Sequence, residues 1–220
     1  TKEYRRQRQV CIRDSKYMPG KSTIKHKVCR ALGINVIGSP SAALTLSRRP
    51  NRPGQHGASR QSKISPFGLQ LRETQKLKAF YGISSKQLRR YYDKAARGRI
   101  QTNVALVQTL ETRLDNMAFR MGFSGTLRAA RQMVVHCHIT VNGKKVNKPG
   151  YQIKPSDIVQ LRDKSQNIDR YKDWFNFFEQ KLAYVQRDTK KFSGTLVQIP
   201  DREEIPIDVE DHLVVEYMAR

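Results

Sequence analysis

The chain has 220 residues, with 42 Lys and Arg against 19 Asp and Glu, for a net charge of +23. Hydrophobic residues supply only 38%, which fits modest cores beside extensive basic surfaces. No apolar run approaches the ~20 residues of a membrane span and no basic segment has a broad apolar face, so a membrane partner is not expected.

The charge is also unevenly placed. The last twenty residues hold seven acids (Asp201, Glu203, Glu204, Asp208, Glu210, Asp211, Glu216) and two bases, while the first 200 carry 40 bases and 12 acids, or +28. Such a field repels itself in a compact state unless a polyanion neutralises it. Phosphate backbones do so with release of counterions. Nucleic acid is therefore the expected partner. The three cysteines, Cys11, Cys29 and Cys137, are odd in number and scattered, which argues against a disulfide framework and for a reducing compartment. No CxxC pair begins a zinc site, so no metal or cofactor is expected. The first residues, TKEYRRQRQVC, lack the apolar stretch of a secretory signal.

In chain order, residues 1–59 read as a basic N-terminal extension or arm. Fifteen bases face only Glu3 and Asp14 over residues 1–63, with Pro19-Gly20, Pro40, Pro50 and Pro53-Gly54 as breakers. At most a short helix is expected near Lys27–Leu32.

Residues 60–101 read as a helical segment of two helices. Leu77, Phe80 and Tyr81 follow helical spacing, and Gly82 can close that helix. Ser84 to Gln87 has the form of a capping box, and Leu88, Tyr91, Tyr92, Ala95 and Ala96 make the stripe of a second helix that Gly98 ends. The tyrosines read as core.

Residues 102–165 read as the best-ordered module of the chain. Val107, Leu110, Leu114, Met117, Ala118 and Met121 predict one helix ending at Gly122, and Thr126 caps a second that runs to about Val135. His138–Val141, the Asn142-Gly143 turn and Lys144–Val146 predict a hairpin, with Asp157–Arg162 a further strand.

Residues 166–220 read as a further helix and a tail. Tyr171, Trp174, Phe175, Phe178 and Leu182 predict a helix over 167–185. Short strands are expected at Gly194–Ile199 and Leu213–Tyr217 around an acidic loop. The fold class is α+β: mainly helical, with a helix pair followed by short curved strands, and a basic arm.

Within the module, Arg113, Asn116 and Arg120 share a helix face by spacing. Arg128, Arg131 and Gln132 share another, with His136 one turn on, and Lys144, Lys145 and Asn147 cluster on the hairpin. Guanidinium and amide groups bond phosphates and base edges, and acids are sparse here, so these faces read as nucleic-acid-binding.

Four blocks then resemble one family in order and spacing: PGQHG at 53–57, LQLRETQKLKAFYG at 69–82, ETRLDNMAFRMGF at 111–123 and RAARQMVVHCHITVNGKKVN at 128–147. The resemblance is to ribosomal small-subunit protein number four. It runs from about Lys27 to Ser165 and resumes at HLVVEYMAR. The block 111–162 is also similar to the small RNA-binding module of several RNA-modifying enzymes and tyrosyl-tRNA synthetases.

The resemblance implies a mainly helical domain, built from residues 60–101 and 166–220, with a small RNA-binding module at 102–165 inserted in it. It also implies direct binding of small-subunit ribosomal RNA early in subunit assembly. It implies small-subunit proteins five and three as neighbours, and a place where messenger RNA enters, in a bacterial cytoplasmic or an organellar ribosome. Carried over residue by residue, the RNA contacts would be Gln55 and His56, then Arg72 and Lys76. On the module they would be Arg113, Arg120, Arg128, Arg131, Gln132 and His136. Arg60 and Lys63 follow PGQHG where the family places its messenger-facing bases, with spacing that differs by about one residue. Some members hold zinc on four N-terminal cysteines; Cys11 and Cys29 lack partners at that spacing.

Two other classes compete: an RNA-modifying enzyme and a ribosome-recycling factor, each using the same module. No phosphate-binding glycine loop is present, and His136 and His138 flank Cys137 without an acid placed to complete a triad. An RNA-modifying enzyme would also need a separate catalytic domain.

Overall fold

A computed structural model describes residues 26–59, 63–178 and 182–220. The expected arm before residue 26, together with Cys11 and Arg60, lies outside the described residues. The first two helices are α1 (His26–Leu32) and α2 (Pro40–Arg48). The second corrects a reading, because Pro40 starts a helix instead of breaking one. Ser39 is extended and its hydroxyl accepts the Ala42 N–H, and Pro40 takes the first helical position, where no N–H is needed. Together the two bury Cys29, Leu32, Val36 and Ala42 against Ala79 and Phe80.

The helical domain follows from equally local signals. Ser65 caps α3 (Pro66–Phe80), and the reciprocal Ser84–Gln87 box opens α4 (Ser85–Ala96). With α5 (Thr102–Glu111), these helices enclose Leu77, Tyr81, Leu88, Leu106 and Leu110. Leu110 is wholly buried, so Leu110→Ala should cost ~2–5 kcal/mol by lost transfer energy and the cavity left behind. A drop in the urea midpoint at unchanged slope is the expected observation.

One expected helix is two. The stripe from Val107 to Met121 breaks after Glu111, and α6 runs Leu114–Arg120. At the break Arg113 is extended (ψ 141°) and bridges Gln152. Ile153 N–H donates to Thr112 O at 2.9 Å and Leu114 N–H to Tyr151 O at 2.8 Å. Tertiary pairing thus replaces the helical bonds, and no Gly or Pro signals it. In consequence α5 packs in the helical core and α6 in the module core, so packing starts the module near residue 112 instead of 102.

The module core gathers Leu114, Met117, Met121 and Phe123 with Val134 of α7 (Leu127–Val135), which Thr126 caps as expected. Against them lies an antiparallel sheet of β1 (Ile139–Val141), β2 (Lys144–Lys145), β3 (Ile158–Leu161), β4 (Val185–Asp188) and β5 (Ser193–Leu196). Its spatial order is β2-β1-β3-β5-β4. The tail strand expected near 194–199 is therefore β5, and it completes the module sheet through β3. Gly194 is needed there: a Cβ would stand 2.7 Å from Met121 Sδ.

Between β3 and β4 lie α8 (Asp163–Gln166) and α9 (Asp169–Asn176). The helix expected over 167–185 thus stops at Asn176, and Phe175 alone of its stripe is fully buried. The strand expected at Leu213–Tyr217 is corrected as well. That run lies in α10 (Asp211–Ala219), whose Val214 and Met218, four apart, enter the helical core against α3 and α5. A short apolar run does not distinguish the two states by period, and packing decides.

Candidate nucleic-acid interface

The module is fastened to the helical domain by two buried carboxylates. Glu111 is fully buried and accepts from Tyr81 Oη (2.7 Å) of the helical core, Tyr184 Oη (2.9 Å) of the module core and Arg120 Nε (2.7 Å). Burial raises the pKa of both tyrosines, and the Glu111 charge adds to it. Burial works against the Arg120 charge, but Glu111 and the tyrosines outweigh it and its pKa is raised.

Asp115 is the second anchor. It takes a bidentate pair from Arg113 (3.0 and 2.7 Å) and the Asn116 N–H, with Arg131 Nε at 3.5 Å. Arg113 Nη1 also donates to Tyr91 Oη at 2.7 Å, and Arg131 Nη1 to Gly82 O at 2.6 Å. Desolvation of Arg113 is likewise overcome by Asp115 and Tyr91.

These contacts correct part of the expected RNA face. Arg113 (1% exposed), Asn116 (3%) and Arg120 (7%) are interior groups, and the Asn116 amide donates to Glu111 O. A seven-residue spacing on a helix gives a common face without saying which way it points, and here it points inward. Arg131 is half-buried and occupied by Asp115 and Gly82. In the helical domain Arg72 Nη2 is held by Leu32 O at 2.7 Å, and Lys76 by Glu73 at 2.6 Å. Both act as internal fasteners.

The other expected residues do face solvent. Arg128 and Gln132 are exposed one turn apart on α7, with His136 exposed at its C-cap. Lys144 and Lys145 are exposed on the edge strand β2, and Gln55, His56 and Lys63 are exposed in loops. Sequence reading missed a cleft lined by His26, Lys27, Arg30, Arg48 and Arg49, beside the PGQHG turn. Arg30 shapes its rim by donating to Arg49 O (3.1 Å) and Asn51 O (3.0 Å). The signal was available: no acid occurs between Asp14 and Glu73.

The acidic end lies on the helical domain. Glu210 N–H donates to Glu73 Oε2 at 3.2 Å, and Arg202 pairs with Asp211 while donating to Ile207 O and Val209 O. Among the described residues no helix is long and apolar enough to cross a membrane, and no three His, Cys, Asp or Glu side chains group as metal ligands. Cys29 is a buried thiol.

Outward-facing guanidinium, ammonium, imidazole and amide groups on a braced scaffold make a basic surface of the class that nucleic-acid-binding proteins present. Comparison with known proteins makes that class particular. Residues 21–111 match the profile of the ribosomal protein S4/S9 N-terminal domain, and residues 112–159 that of the S4 domain. The chain is 42% identical to small ribosomal subunit protein uS4 of Chloroherpeton thalassium over 196 residues, covering 88% of this chain and 96% of that protein. With the uS4 proteins of Chlorobium limicola and Chlorobium phaeobacteroides it is 43% identical over the same shares. The chain belongs to the uS4 family of small ribosomal subunit proteins. It is a ribosomal protein and not an enzyme, which sets aside the RNA-modifying reading.

Proposed function

We propose that this protein binds small-subunit ribosomal RNA directly and helps to nucleate subunit assembly. The supporting observation is the outward cationic array: the acid-free stretch around the His26–Arg49 cleft and PGQHG turn, and the Arg128–Gln132–His136 row with Lys144 and Lys145. Arg128 and Gln132 protrude from a helix whose other side, through Ala130, Met133 and Val134, is packed in the core. Their contacts are therefore preorganised.

The double variant Arg128→Ala/Gln132→Ala should bind small-subunit RNA about tenfold or more weakly, since hydrogen bonds to charged groups are worth ~1.5–3 kcal/mol each. Its melting temperature should hardly move, because exposed substitutions stay within about 0.5 kcal/mol. Filter binding beside a thermal melt reads both, and a variant that binds normally would remove α7 from the interface. Arg131 is left out of this test because of its structural bonds.

The same reading sets the protein beside small-subunit proteins five and three, with Lys63 toward entering messenger RNA. Crosslinking from Lys63 in assembled subunits tests that placement.

A further inference from the structure

Four rings, two just after α7 and two on α9, form a row on the module that begins at His136 of the cationic array and runs beyond it. His136 and His138 stack with centroids 6.1 Å apart and planes 28° apart. His138 meets Tyr171 edge-on at 5.4 Å, and Tyr171 meets Trp174 at 6.1 Å. We propose that this row is a stacking platform for unpaired RNA bases, resting on the RNA-binding reading above and naming the nucleic-acid form that its site takes.

The arrangement is held in place from behind. Phe175, beside Trp174, is fully buried, and Arg187 donates to Phe175 O and Phe178 O, tying down the end of α9. His138 Nδ1 lies 2.9 Å from Ser165 Oγ. Burial, then the nearby His136 and Arg162 charges, lowers the His138 pKa, which favours a neutral ring.

Packing does not account for the row's outer members. His136 is exposed, and Trp174 lies outside the module core, half-exposed beside Gly125. The same elements leave Val135 (51%), Ile168 (39%) and Phe177 (80%) in solvent. A platform of this kind takes bases of any sequence, because each has a π-face, while neighbouring cations track the backbone. Arg170 lies over Trp174 at 5.9 Å, and Arg162, Lys164 and Lys172 are nearby in sequence. The acids of this stretch are Asp163, Asp169 and Asp173, of which Asp169 pairs with Lys172 at 3.6 Å. Duplex RNA keeps its bases stacked within the helix and offers none to these rings.

Trp174 is the chain's one tryptophan, so its fluorescence reports directly. The full chain is titrated at fixed salt with an oligouridylate of about eight nucleotides and with a blunt RNA duplex. Oligouridylate should quench Trp174 and the duplex should not. Trp174→Ala should weaken oligouridylate binding about fivefold or more and leave duplex binding unchanged, with Trp174→Phe restoring most of the loss. Wild-type quenching needs no variant and decides the matter should Trp174→Ala melt early. Absence of quenching, or equal weakening toward both RNAs, overturns the platform. In either case retained binding of small-subunit RNA leaves the parent reading standing, whereas failure to bind that RNA overturns both.

Discussion

Glu111→Ala should lower folding stability by ~3–5 kcal/mol, the usual cost of leaving a buried ionic partner uncompensated. The variant strands the Arg120 guanidinium and removes the acceptor shared by Tyr81 and Tyr184. Against the ~5–15 kcal/mol of a typical domain that is a large fraction. Because the two tyrosines come from different cores, both cores should lose stability together in a urea titration. A variant whose module alone melts early would show that Glu111 does not join them. Alkaline pH probes the same cluster. Tyr81 has a folded pKa raised above its ordinary 10.0, so its contribution is complete below about pH 10 and is lost as pH rises beyond it.

The second large effect is electrostatic. If ~6–10 phosphates are neutralised by the +28 carried on residues 1–200, the logarithm of the RNA affinity should fall with log salt at a slope of roughly −4 to −9. Between 50 and 200 mM salt, a fourfold rise, the affinity then drops by roughly 10²–10⁵-fold. A slope shallower than about −2 would mean that phosphate neutralisation does not dominate binding.

What the sequence disclosed followed how local each cause is. The Ser84 box, the Thr126 cap and the Asn142-Gly143 turn are decided within four residues, and each forms where expected. Ser39-Pro40 is equally local, but a proline alone does not tell a helix breaker from a first helical position; the Ser39 cap does. Non-local causes were hidden. Nothing near Thr112 marks the helix break, because its partners are residues 151–153. Leu213–Tyr217 became helical because α3 and α5 offer it a groove. For the interface, spacing located shared faces but not their direction. Arg128 and Arg113 sit in equally basic surroundings, yet Asp115, two residues from Arg113, turns one of them into a buried fastener.

The docking of α10 on α3 also bears on the order in which the chain can mature. Glu73 and Glu210, bonded across that contact, are 137 residues apart. At ~5–20 residues per second a translating ribosome separates their appearance by on the order of ten seconds. Throughout that interval α3 has emerged without the helix that covers it, while the module sheet, finished by β5 at Leu196, is complete earlier. The inserted body can therefore close before its host, and the helical domain, begun first, is sealed last by an acidic segment.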